Sequence, residues 1–202
     1  MRQTCTTYPK AELKPLDRSF YVRPTLKVAE ELLGKRLVRC IDGQTLIGRI
    51  VEVEAYIGED DPACHARFGP TDRNRVMYGE GGFSYVYFIY GMYNMLNFVT
   101  ESEGFPAAVL VRALEPLDGI DTMKGLRGTD RMSELTNGPG KLCQALGLDT
   151  SHSGLDLTRD VLYVADGDLF ESRMVASSRI GIKDGTDRKW RFYTDGSSFV
   201  SR

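Results

Sequence analysis

Apolar residues recur at strand spacing through much of this chain. Residues 37–40 and 45–56 read as two strands around Asp42-Gly43, a dipeptide that favours tight hairpin turns. In the second run Ile47, Val51, Val53 and Ala55 fall on one face, with Arg49 among them, and Glu52, Glu54 and Tyr56 fall on the other. Residues 85–93 hold four tyrosines in nine positions. Tyr85, Tyr87 and Ile89 share one face of a strand; Val86, Phe88 and Tyr90 share the other. Both faces are largely apolar, so this strand is expected to be covered on both sides. Gly91 interrupts it and a second β-prone run follows over residues 93–99, which makes Gly91 a turn and puts Tyr90 at or near its tip. Residues 107–114 form a nearly continuous apolar strand broken only by Arg112, and residues 161–164 and 191–194 add two more. Helical signals are fewer. Pro24-Thr25 starts a helix over residues 26–33 that Gly34 stops, with Val28, Leu32 and Leu33 as its buried stripe. Gly138-Pro139-Gly140 opens another over residues 141–146, ended by Gly147. Residues 124–137 are charged and read as a surface loop or irregular helix–loop. The predicted fold is α+β: a single mixed domain with a curved, mainly antiparallel sheet and flanking helices.

Composition adds bounds. The chain has 202 residues, 42 % hydrophobic and 27 % charged, enough for one large domain with a sizeable core. Residues 1–14 are polar and read as a flexible N-terminal arm, leaving 15–202 for the domain. The net charge of −2 argues against a generally basic nucleic-acid coat but permits a local basic patch. Cys5, Cys40, Cys64 and Cys143 show no CxxC spacing, and His65 and His152 are the two histidines, so no zinc signature can be drawn and no cofactor is expected. The cysteines read as reduced thiols of a cytoplasmic protein. No signal peptide or 18-residue apolar run is visible, so neither secretion nor a membrane partner is expected.

Glu54 ends a strand beside Tyr56, which makes it a candidate general base next to a ring that could stack a flat ligand. The plainer reading is a solvated outer face, where glutamates are common. His65 follows in a loop and could read a base edge or orient a catalytic group; a structural hydrogen bond is its ordinary use. Arg67, Arg73 and Arg75 form a local basic cluster suited to phosphate, or a salt-bridged loop beside Asp60, Asp61 and Asp72. Arg112, inside an apolar strand, must be paired or face a site, and a phosphate or a carboxylate such as Glu54 is a candidate partner. Three functions compete on these features: an enzyme acting on a flat ligand such as a nucleobase, a non-catalytic module stacking nucleic-acid bases on the tyrosines, and a sugar glycosidase. The last would use Glu52 and Glu54 as a carboxylate pair roughly 7 Å apart.

Six motifs in order carry a resemblance: Val51-Glu52-Val53-Glu54-Ala55-Tyr56, His65-Ala66-Arg67, Arg73-Asn74-Arg75, the tyrosine run through Tyr93, Val111-Arg112-Ala113-Leu114-Glu115-Pro116 and Gly138-Pro139-Gly140-Lys141-Leu142-Cys143. Together they resemble the alkyladenine (3-methyladenine) DNA glycosylases, bacterial-type members in particular, from about residue 20 onward. The resemblance implies a mixed domain with a protruding β-hairpin. It implies Glu54 as the base that activates water and Arg112 as the residue placing the target nucleotide. Tyr56, His65 and Tyr87 would line the base pocket, with Asn97 on its floor disfavouring the 2-amino group of guanine. Tyr90 would be the wedge filling the gap in the duplex, while Tyr85 and Tyr93 pack. Arg67, Arg73, Arg75 and Lys141 are candidates for the DNA backbone. The implied substrate is double-stranded DNA carrying alkylated purines, 3-methyladenine first, then hypoxanthine and ethenoadenine. With no lysine among the residues matched to the base pocket and the catalytic role, a monomeric, monofunctional enzyme that leaves an abasic site is expected, working in the cytoplasm at the nucleoid.

Overall fold

The computed structural model describes residues 13–159, 161–167 and 172–201, so most of the expected arm (residues 1–12) lies outside the described residues. Two helices, α1 (Arg18–Tyr21) and α2 (Thr25–Leu32), lead into β1 (Arg36–Ile41) and β2 (Gln44–Ile57). The β1–β2 turn is the predicted one. Asp42 and Gly43 take φ of 47° and 76°, the left-handed pair that matches the twist of a two-residue hairpin. After a long loop come β3 (Ser84–Ile89), β4 (Tyr93–Val99) and β5 (Ala107–Asp118), then α3 (Ile120–Arg127), α4 (Pro139–Ala145), β6 (Leu162–Ala165), β7 (Met174–Ser177) and β8 (Arg191–Thr194). All the pairings among the described residues are antiparallel, in the order β3-β4-β5-β2-β1-β6. The sheet forks at β2: its first half pairs with β1 and its second half with β8, which also holds β7. The α+β expectation and its antiparallel sheet hold.

The phase of β2 departs from the expected alternation. Pairing with β5 steps from Ile50↔Leu114 to Glu52↔Ala113 to Val53↔Val111, so Val51 and Arg112 each stand as an extra residue. These bulges flip the side-chain order. The core face of β2 is therefore Leu46, Ile50, Val53 and Ala55, while Ile47 belongs to a separate cluster with Leu13, Val38 and Ala165. On β5, Val109 and Val111 face the core before the bulge and Leu114 after it. Glu52, Glu54 and Tyr56 keep the shared face expected of them.

The main core lies between the sheet and its helices. Val28, Ala29 and Leu32 of α2 pack on β2 and β5; Leu142, Cys143 and Ala145 of α4 pack on β4 and β5. Leu33 is the extended residue after α2 and not part of its fully buried stripe. Residues 124–137 are more ordered than expected: α3 covers 120–127 and a short 3₁₀ turn covers Met132–Glu134. Cys40 is disulfide-bonded, which corrects the reading of all four cysteines as reduced; Cys64 and Cys143 are free and buried. No helix among the described residues is long and apolar enough to cross a membrane.

Candidate active site

The face of the sheet opposite the main core carries a cavity of about 280 Å³. Its wall follows from strand alternation. Because Val109 and Val111 point to the core, Ala108, Leu110 and Arg112 of β5 point into the cavity, joined by Met95 and Asn97 of β4 and by Tyr85 and Tyr87 of β3. Tyr56 enters from the end of β2. His65 comes from the β2–β3 loop, and Ile180 and Gly181 from the β7–β8 loop.

The rings are fixed by one another. His65 Nδ1 and the Tyr85 hydroxyl are 2.9 Å apart, and His65 meets Tyr87 edge-on with ring centres 4.4 Å apart. Burial, with the positive Arg73 nearby, pushes the His65 imidazole down to about 4, so it is neutral at pH 7. Burial likewise raises the Tyr56 and Tyr87 phenols above their ordinary value, so both rings stay uncharged. Asn97 is buried, and its Nδ2 donates to the carbonyls of Tyr85 (3.0 Å) and Met95 (3.3 Å), which locks the amide at the cavity wall. Tyr85, expected merely to pack, is both buried and part of the wall; Tyr93 is partly exposed and lies against Gly140, where a Cβ would meet its ring at 2.6 Å.

Glu54 is fully buried one layer behind this wall, which overturns the outer-face reading. Three wall residues hold it. The Tyr56 hydroxyl donates to Oε2 at 2.8 Å, the Ile180 N–H donates to Oε1 at 2.7 Å, and Arg112 Nη1 is 3.2 Å from Oε1. The expected Glu54–Arg112 partnership is thus present. Burial works against the Arg112 charge, but Glu54 and Glu52 outweigh it and raise its pKa. Glu52 is also fully buried, and both its oxygens are taken up by Arg112, Arg191 and Ser201. Like Glu54 it stands behind the wall and does not line the cavity, so a pair of carboxylates flanking an open sugar cleft is not formed.

Several residues beside the site escaped the sequence reading. Arg179, buried, donates to both oxygens of Asp61 (2.6 and 2.7 Å) and to the Ala55 carbonyl (2.9 Å), with its guanidinium stacked on Tyr56 and Trp190. This clamp ties the β2–β3 loop to the segment that supplies the Ile180 N–H. Its signal was a lone arginine before Ile180-Gly181-Ile182 in a polar stretch.

The β3–β4 hairpin extends beyond the cavity. Tyr90 and Gly91 take φ of 55° and 67°, and Tyr90 and Met92 are 70 % and 64 % exposed at the tip. The strand is therefore not covered on both sides along its whole length: Phe88 is exposed too. A bulky aromatic at positive φ and in water is strained for no packing gain, a combination that clusters at functional sites. The predicted basic residues scatter around the rim. Arg73 donates to the Phe88 carbonyl at 3.1 Å and lies over the Tyr87 ring. Arg67 pairs with Asp184 at 3.2 Å and Arg75 with Asp72 at 2.7 Å, both in exposed pairs of the kind that exchange readily. Lys141, in the first turn of α4, donates to Asn137 at 2.8 Å.

Comparison with known proteins places this arrangement. Residues 19–198 match the family model of methylpurine-DNA glycosylase. A relative from Methanocella arvoryzae, named "Putative 3-methyladenine DNA glycosylase", is 52 % identical over 192 residues, 93 % of this chain and 96 % of the relative. Relatives of the same name from Salinibacter ruber and Carboxydothermus hydrogenoformans are 48 % and 49 % identical, covering 94 % and 93 % of this chain and 97 % and 98 % of their own. A match across nearly the whole chain, including every residue of the cavity wall, shows that the protein belongs to the methylpurine-DNA glycosylase family, hydrolases of the N-glycosyl bonds of DNA.

Proposed function

We propose that this protein flips an alkylated purine out of duplex DNA into the ring-lined cavity and hydrolyses its N-glycosidic bond with a water activated by Glu54. The observation that carries the reading is the buried Glu54 carboxylate, held directly behind an aromatic wall by Tyr56, Arg112 and the Ile180 N–H. A base inside a duplex hides its glycosidic bond, so extrusion must precede chemistry, at a cost of a few kcal/mol. Stacking Tyr90 into the gap offsets part of that, about 1–3 kcal/mol. The Tyr56, Tyr87 and His65 rings, all uncharged, receive the base, and the electron-rich tyrosine faces favour a cationic one. The 4.4 Å contact between His65 and Tyr87 is too close for a base between those two rings, so a side-chain rotation accompanies binding. Asn97, locked by two backbone carbonyls, sets a rigid stop against an exocyclic 2-amino group.

In the chemical step water attacks C1′ as the bond to the purine breaks, and Glu54 takes the proton that water gives up. The bond electrons go to the departing base. For 3-methyladenine, already cationic in the nucleotide, they neutralise the ring, so no proton donor is needed. Positive charge builds on the sugar, and the anionic Glu54 stabilises it. Arg112 orients both Glu54 and the nucleotide. Backbone phosphates would be met by Arg67, Arg73, Arg75 and Lys141, whose present partners are weak. One duplex target suits a monomer, acting where DNA is. The test is release of free base by the unaltered protein from duplexes carrying single defined lesions: 3-methyladenine, hypoxanthine and 1,N6-ethenoadenine. Release of 3-methyladenine with an abasic site left behind is expected. Tight binding to these duplexes without release from any of them would instead make the protein a base-stacking module.

A further inference from the structure

Glu52 stands two residues before Glu54 on the same face of β2, fully buried, yet it does not line the cavity. Its Oε1 accepts from Arg112 Nε (3.0 Å), Arg191 Nε (2.7 Å) and Ser201 Oγ (2.8 Å), and its Oε2 from the Ser201 N–H (2.6 Å). Ser201 Oγ in turn accepts from Arg112 Nε at 3.3 Å and Nη2 at 3.2 Å. Arg112 is thereby gripped along its Nε–Nη2 edge, and Nη1 is the nitrogen turned to Glu54, 3.2 Å away. The guanidinium is planar and its fork rigid, so fixing one edge fixes the direction of the third nitrogen. Arg112 itself is the extra residue of the β5 bulge and has no strand partner to hold its backbone in phase. The charges also close. Arg112 and Arg191 face Glu52 and Glu54, two cations against two anions, in a site where unpaired charge is costly.

We propose that Glu52 and Ser201 are positioning residues for base excision: they aim Arg112 from behind, so that its Nη1 meets Glu54. The inference rests on the role assigned to Glu54. Without these acceptors the Nε–Nη2 edge of Arg112 would be released, and the direction of Nη1 with it.

The experiment is single-turnover release of 3-methyladenine from dimethyl sulfate-treated duplex DNA, with enzyme in excess over a range of concentrations. Ser201→Ala should lower the limiting rate constant about tenfold, the usual weight of a hydrogen bond to a charged group, with the half-saturating enzyme concentration unchanged. Ser201→Thr, which restores the hydroxyl, should recover most of the rate. Glu52→Gln, which offers one acceptor oxygen in place of two, should lower the same rate constant with the half-saturating enzyme concentration again unchanged, a split that a loss of packing alone would not give. A Ser201→Ala rate equal to that of the unaltered protein, or Ser201→Thr as slow as Ser201→Ala, overturns the proposal, and this pair decides should Glu52→Gln fail to fold. A folded Glu52→Gln protein as fast as the unaltered one overturns the part assigned to Glu52. Glu54→Gln run alongside separates the levels. If it still excises, the Glu54 assignment fails and this inference with it. If it is inactive while Ser201→Ala is unaffected, this inference alone fails.

Discussion

Replacing Tyr90 with glycine should stabilise the free protein while weakening its grip on damaged duplex. The hairpin tip holds Tyr90 at φ 55°. An L-residue in the left-handed region costs about 1–2 kcal/mol, which glycine escapes. The ring is 70 % exposed, so deleting it removes little packing. Glycine's greater freedom in the unfolded chain takes back up to about 1 kcal/mol. The balance is a gain of about 0.5–1 kcal/mol, or roughly 1–4 °C in Tm for a chain of this size. Tyr90→Ala keeps the backbone demand and loses the ring, so it should not gain stability. In binding the two variants should agree. Both lose the stack that fills the gap, about 1–3 kcal/mol, which is roughly a 5- to 150-fold rise in Kd. Thermal unfolding gives the first number, and fluorescence anisotropy with a lesion-bearing duplex and the matching single strand gives the second. Only the duplex has a gap to fill, so its Kd should rise more. A less stable Tyr90→Gly protein would refute the strain argument; equal losses on duplex and single strand would refute the wedge.

Breaking the Arg179–Asp61 clamp by Asp61→Asn should cost about 3–5 kcal/mol in urea unfolding, because both side chains are fully buried and the arginine loses its carboxylate partner. Burial alone would raise the Asp61 pKa, but the Arg179 hydrogen bonds and charge outweigh it and lower it. The pair's contribution is therefore complete above the unfolded value of about 4 and fades as pH falls through the lower folded value. An Asp61→Asn protein as stable as its parent at pH 7 would show the clamp to be dispensable. His65 acts in the same direction, over a higher pH interval. Its folded pKa of about 4 lies below the unfolded value of about 6.5, so acidification through that interval favours the unfolded state. Imidazole NMR should show a midpoint near 4, and one near 6.5 would contradict the burial of the ring. Asn97→Ala should raise the release of unmodified guanine relative to 3-methyladenine; an unchanged ratio would remove Asn97 from the specificity account.

The hairpins were legible because their turns need particular residues: Asp42-Gly43 and Gly91 adopt positive φ where the pattern placed them. The cavity wall was legible in part, since Tyr56, Tyr87, His65, Asn97 and Arg112 converge on one space. The strand phase of β2 was not. Alternation assumes one residue per step, and the extra Val51 and Arg112 are invisible until the two strands are paired. The outer-face reading of Glu54 failed for a related reason, because β5, β8 and the Ile180 loop that cover it lie more than fifty residues downstream. Arg179 and Ser201 sit in irregular segments with no periodicity, so their link to Asp61 and Glu52 comes from three-dimensional packing alone. Helix α3 was hidden by its charge and by Gly125 in its last turn.

The central claim is that Glu54 performs the chemistry and the cavity performs the binding. Glu54→Gln keeps the shape of the side chain, and its amide can still meet the Tyr56 hydroxyl and the Ile180 N–H while losing the charge and the basicity. Measured on methylated duplex DNA, this variant should bind within a few-fold of the unaltered protein and release 3-methyladenine at least about 10²-fold more slowly, the lower weight of a general base. Undiminished release would contradict the account outright.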